Sequence, residues 1–335
     1  MKWEDRRRSS NVTRSGRGSS FGRSSRNTNS YQRSPKGRRG GRMPIPIPIP
    51  TGGRRRRGGI GGGGIGCGTI ILILVLYMVF NGLFSGNNDY YGEEPRRQPQ
   101  PQTQTQSQLP QNQNSRERME DFLSVVLADT EDVWHEKFAE YNREYTEPRM
   151  NLYEGTTRSG CGVASNRMGP FYCPNDEVVY IDVSFYNDLV NNYGGGGDFA
   201  FAYVLAHEVG HHVQKQLGIL QQTAQLRRQL PEKEYNKYSV AQELQADYFA
   251  GLFTFYVEQK GYLEAGDIEE AMAAAAGVGD DRIHEMQGVE ANVDNFTHGT
   301  SKQRKEAFDL GYQYHDLEHS MIFFDNIENA PQSSF

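Results

Sequence analysis

Nearly the whole N-terminal third of this 335-residue chain is low-complexity sequence, which leaves room for one folded core of about 220 residues. Residues 1–57 hold 17 of the 36 Lys and Arg but only 2 of the 42 Asp and Glu. With Trp3, Phe21 and Tyr31 as its aromatics, so basic a segment has too little apolar surface to offset its ordering entropy. A disordered cytoplasmic tail is therefore expected over 1–57, either solvated and fixing topology or touching anionic lipid or nucleic acid. Ile and Pro alternate over residues 43–50, a polyproline-type spacer, and Arg54 to Arg57 then precede an uncharged, glycine-rich stretch over 58–88. At 1.5 Å per residue that stretch can cross about 30 Å of hydrocarbon. An uncleaved signal anchor is expected, single-pass in the cytoplasmic membrane, with the N-terminus cytoplasmic and the folded domain extracytoplasmic. Residues 89–114 read as a Gln/Pro-rich linker.

The folded domain, 115–335, is expected to be mainly helical α+β with a small sheet. Ser115 suits the N-cap of a helix carrying Met119, Phe122, Leu123 and Val126, with a second helical segment over 133–141. Residues 155–174 are loop-like, and 177–183 alternate as a strand does. Cys161 and Cys173 in this stretch suit a disulfide if the domain faces an oxidising space. Glycines 194–197 read as a flexible loop, since no Gly-Lys-Ser/Thr follows them. Asp198 is placed to cap a helix ending before Gly218, and Ser239 with Gln242 suggests a capping box opening a helix that Gly261 stops.

Within the first of these helices lies His207-Glu208-Val209-Gly210-His211. Positions four apart share a helix face, so the two imidazoles stand one turn apart, where they can bind one tetrahedral Zn2+. Glu208 falls beside the metal, placed to take a proton from water whose pKa zinc lowers to about 7 and to pass it to a leaving amine. Chance produces such a pattern in a chain with eight histidines on the order of once in a hundred. A second signal is therefore needed, and the next helix supplies it. Glu243 and Asp247 share a face there among Ala246, Phe249, Ala250, Leu252 and Phe253, and acids on so apolar a helix need partners. Glu243 is expected as the third ligand, leaving one position open, and Asp247 as the carboxylate orienting a ligand histidine. His212 points about 100° away from its neighbour and should pack or face solvent. His135, His284, His315 and His319 default to the surface and Met286 to the core. His298 stands in a loop before another helix as a candidate second electrophile.

The blocks Lys2-Trp-Glu-Asp5, Ser10-Asn-Val12, Cys161-Gly162, Gly169-Pro-Phe-Tyr-Cys-Pro174, Val179-Tyr-Ile-Asp182, Glu243 to Gly251, Gly279-Asp-Asp-Arg282 and Phe296-Thr-His-Gly299 flank the histidine helix in that order. Together with the glycine-rich anchor they resemble the bacterial family of putative neutral zinc metallopeptidases. The resemblance implies a gluzincin-like site with His207, His211 and Glu243 on zinc and Glu208 catalytic. A further similarity to membrane zinc peptidases implies that His298 and Arg304 lie near the transition-state oxyanion. The expected activity is hydrolysis of peptide or protein substrates, held extended along the 177–183 strand. Two other classes remain open: a scaffold with a structural zinc, and a zinc hydrolase of a non-peptide amide. A structural site has no need of a base at Glu208, whereas the amide hydrolase would keep every residue role.

Overall fold

The structure, a computed structural model, describes residues 1–15, 113–194 and 196–334. The expected anchor over 58–88, residues 16–57 of the expected tail and nearly all of the 89–114 linker lie outside the described residues.

A mainly helical α+β domain with a small sheet is what forms. Helix α1 spans Gln113–Glu140 in one piece. No Gly or Pro interrupts it, and Phe122, Leu123, Val126, Val133, Trp134 and Phe138 are all buried, so the two helical segments expected from the sequence are continuous. The strands are β1 Val12–Ser15, β2 Arg149–Tyr153, β3 Thr156–Ser159, β4 Gly162–Ser165, β5 Phe171–Cys173 and β6 Val178–Asp182. β3 and β4 make an antiparallel hairpin. The other four form one sheet in the order β1-β2-β6-β5, with the first three parallel and β5 antiparallel to β6. β6, the expected substrate strand, is bonded on both sides and has no free edge to offer an extended peptide. Among the described residues the edges belong to β1 and β5, and β5 is the one that packs against α3.

The remaining helices are α2 Phe185–Asn192, α3 Asp198–Gln216, α4 Ile219–Leu226, α5 Glu232–Gln259, α6 Asp267–Gly277, α7 Asp280–Gln287 and α8 Ser301–Tyr314. α3 starts at Asp198 with Gly197 as its cap, so Asp198 lies inside the first turn. α5 starts well before Ser239. Pro231 precedes it, Glu232 and Glu234 complement the dipole of its first turn, and Ser239 is buried within the helix instead of capping it. α3 carries the histidine motif through the centre of the core, packed by α1, α5, α6 and β5. α5 and α8 approach until backbones touch. A Cβ on Gly251 would stand 2.0 Å from the Phe308 carbonyl oxygen, and one on Gly311 1.8 Å from that of Tyr248. That contact brings Arg304 against α5.

The first fifteen residues correct two expectations. They are not a disordered tail: Met1 and Trp3 join the core, Trp3 meets Phe122 edge-on at 5.8 Å, and β1 pairs with β2 in register Val12↔Met150. Composition averaged over 57 residues concealed a local pattern in which arginines serve buried acids. Arg7 reaches Glu131 at 2.8 Å and Asp132 at 2.7 Å, Arg6 pairs with Asp129 and stacks on Tyr262, and Ser9 and Asn11 also bond Glu131. Glu131 and Asp129 are buried, and without these partners each would carry a desolvation penalty of several kcal/mol.

The single-pass membrane localisation is also overturned. Among the described residues no helix is long and apolar enough to cross a membrane. Residues 1–15 and 113–334 moreover pack as one body, whereas a single crossing between them would place them on opposite faces.

Truncating Trp3 tests whether this segment belongs to the cooperative unit. Trp3→Ala is expected to lower unfolding stability by about 3–5 kcal/mol in urea titrations of the full chain. An unchanged midpoint would show that the segment folds separately.

Candidate metal centre

The site is built where α3 crosses α5. Gly210, inside the histidine motif, faces the Ala246 backbone so closely that a Cβ there would lie 3.2 Å from the Ala246 Cα. With that approach, Glu243 comes under both imidazoles. His207 Nε2 lies 3.2 Å from one Glu243 oxygen and His211 Nε2 lies 3.6 Å from the other. The ligand atoms of His207, His211 and Glu243 all fall within 4.8 Å of one another. A tetrahedral zinc with bonds of about 2.1 Å separates neighbouring ligands by about 3.4 Å. The donor set and its spacing therefore fit the ion.

Each histidine is held from behind by a different partner. His207 donates from Nδ1 to Asp247 at 2.8 Å, because a carboxylate can only accept. Asp247 has no exposure. It also takes two hydrogen bonds from Arg304, at 2.7 and 2.9 Å, and one from the Tyr203 hydroxyl. His211 Nδ1 instead meets the amide oxygen of Gln214 at 2.9 Å, and Gln214 donates to the Gln242 carbonyl and to Gln245 on α5. Both rings are thereby turned with Nε2 toward Glu243.

Charge follows this geometry. Burial depresses the His207 imidazole, but Asp247 and Glu243 outweigh it and lift the pKa to about 9. Burial pushes Asp247 up, and Arg304 and His207 overcome it to leave a carboxylate below the ordinary range. Glu243 is lowered for similar reasons, by His211, His207 and His298 against burial. Glu208, beside the pair, goes the other way. Burial raises it, against the two histidines and a hydrogen bond from the backbone N–H of Tyr172 on β5.

Other expected site residues are placed as follows. Cys161 and Cys173 are joined by a disulfide that ties the β3–β4 turn to β5. His212 is fully buried, accepting at Nδ1 from the Tyr172 hydroxyl at 2.8 Å and donating to the Thr146 carbonyl. His298 is largely buried close to the site, with Asp280 behind it at 3.2 Å. Arg304 is buried, with its guanidinium bonded to both oxygens of Asp247. Met286 is exposed, not core, and His284 and His315 stack on Phe296 and Phe255 instead of standing free. Sequence reading missed Tyr203 and Gln214, although each stood at helical spacing from a motif histidine. Asp280 and Tyr172 gave no local signal, since the fold alone brings them near.

Comparison with known proteins adds the following. The family model described as "Putative neutral zinc metallopeptidase" matches residues 50–323. An uncharacterized protein of Escherichia coli K12, YpfJ, is 49% identical over 195 residues, 58% of this chain and 68% of that one. An uncharacterized Mycobacterium tuberculosis H37Rv protein is 44% identical over 183 residues, 51% of this chain and 61% of that one. No solved structure matches.

If Asp247 holds His207 for a metal, Asp247→Asn is expected to weaken zinc binding about 10- to 100-fold in competition with a chromogenic chelator. Unaltered zinc affinity in a variant that still melts cooperatively would reduce Asp247 to a helix tie.

Proposed function

Because the chain belongs to the putative neutral zinc metallopeptidase family, we propose that it hydrolyses peptide bonds at a zinc held by His207, His211 and Glu243, with Glu208 as general base. The observation that carries this reading is the convergence of the two Nε2 atoms on Glu243 at 3.2 and 3.6 Å, with Glu208 buried beside them.

Zinc, when bound, supplies a Lewis acid that lowers the pKa of water to about 7 and polarises the scissile carbonyl. The chain's own groups do the rest. Glu208 accepts the proton that water loses as its oxygen attacks the carbonyl carbon, and delivers it to the amine nitrogen as the C–N bond breaks. Its raised pKa makes it a better proton acceptor than an exposed carboxylate while leaving it able to give the proton up. Asp247 and Gln214 keep the rings from rotating, and Arg304 keeps Asp247 ionised. His298, held from behind by Asp280 at 3.2 Å, is the group that donates to the carbonyl oxygen as it gains charge in this reading.

A peptide is favoured over another amide by the sheet edge beside the site. β5 runs past α3, and its Tyr172 N–H reaches Glu208, so a segment added along β5 would lie extended over the base. A structural zinc would leave the buried carboxylate of Glu208 without a purpose to offset its desolvation.

The deciding experiment uses the full chain, zinc-loaded, on casein and on short peptides. Glu208→Gln should retain one zinc per chain and lose about 10²- to 10⁴-fold in kcat, while Glu243→Ala should lose zinc. Metal retained with no Glu208-dependent cleavage would point to a structural site or another amide, and trimming of short peptides without cleavage of casein would reject an extended endopeptidase groove.

A further inference from the structure

In the proposed reaction His298 must present one ring nitrogen to the carbonyl oxygen, yet it stands in the loop 296–300, where a side chain is placed only as firmly as its backbone. The structure supplies the anchor from α7. Asp280, buried at the first position of that helix, accepts three consecutive backbone N–H groups on Oδ2, from Thr297 at 2.8 Å, His298 at 2.6 Å and Gly299 at 3.0 Å. Its own N–H returns to the Gly299 carbonyl at 2.8 Å, and Gly299 adopts φ +85°, which lets the turn close around the carboxylate. Such a nest of N–H groups holds the carboxylate ionised and the loop in one shape. Next to it, Asp281 accepts the N–H and hydroxyl of Ser301 where α8 begins.

Holding the turn needs only Oδ2. The second oxygen, Oδ1, faces His298 Nδ1 at 3.2 Å, with the Thr297 hydroxyl also 3.0 Å from that nitrogen. The arrangement repeats the one at His207, where Asp247 takes the Nδ1 proton and leaves Nε2 facing Glu243.

We propose that Asp280 is a positioning residue for the peptidase reaction: by holding Nδ1–H of His298 it leaves Nε2 as the donor directed at the carbonyl oxygen that gains charge in the transition state. The proposal rests on the peptidase reading above.

The test is a double-mutant cycle on the zinc-loaded full chain with one peptide substrate, measuring kcat, KM and zinc content for Asp280→Asn, His298→Ala and the pair. Asp280→Asn is expected to lower kcat about 10- to 100-fold with KM changed less than about 2-fold and zinc retained. In the His298→Ala background the same change should cost less than about 2-fold, because the residue acts through a ring that is no longer there. A full-sized loss in that background, or an Asp280→Asn kcat within about 2-fold of the unaltered chain, overturns the proposal. Should Asp280→Asn fail to fold, nitrogen chemical shifts of ¹⁵N-histidine in the unaltered chain decide the point: a protonated Nδ1 on His298 supports it, and a bare Nδ1 rejects it. An unaltered chain with no Glu208-dependent cleavage overturns the peptidase reading itself, and this role with it.

Discussion

One carboxylate without solvent exposure, Asp247, holds the centre of this molecule together. It lies on α5 and binds the imidazole of His207 and the hydroxyl of Tyr203 on α3, while Arg304 of α8 clasps both of its oxygens. Three helices are thus fixed in rotation by a single side chain. Removing one member would leave an uncompensated buried charge, a loss of about 3–5 kcal/mol by the behaviour of such networks. The glycines at the helix crossings make the arrangement possible, since at Gly251 and Gly311 a Cβ would hold the backbones apart, and at Gly210 it would press on Ala246.

What could be read in the sequence was whatever a helical period makes local. His207 and His211, Glu243 and Asp247, and the end of α5 at Gly261 all follow from residues within a turn or two of one another. The mainly helical α+β class followed from the same patterns. Reading failed where a local signal had a rival it could not weigh. Ser239 and Gln242 match a capping box, but Pro231 and two glutamates begin the helix earlier, and packing then carries it through Ser239. Likewise, β6 has the Val/Ile/Tyr content of a strand that could receive a substrate, and only the sheet order shows it enclosed between β2 and β5. Tyr172 and Asp280 were invisible for a different reason, since their partners lie on other elements.

The basic and acidic parts of the chain are less separate than their composition suggests. Arg6, Arg7 and Arg14 face Asp129, Glu131 and Glu120 along α1, so part of the positive charge of the N-terminal region is spent inside the fold. The same contacts set the constraint on topology, because they hold residues on either side of the 16–112 stretch on one body.

The parallel pairing of β1 with β2 also orders events in time. Val12 meets Met150 about 140 residues downstream, so a ribosome adding 5–20 residues per second presents β1 roughly 7–30 seconds before its partner exists. Trp3 and the N-terminal arginines wait somewhat less, until Phe122, Glu120, Asp129 and Glu131 of α1 have been made. Closing so long a loop adds an entropic barrier that grows only with the logarithm of its length, so the delay is governed by synthesis more than by search. The nascent chain must therefore keep an exposed, cationic strand from pairing elsewhere until the sheet that receives it has been made.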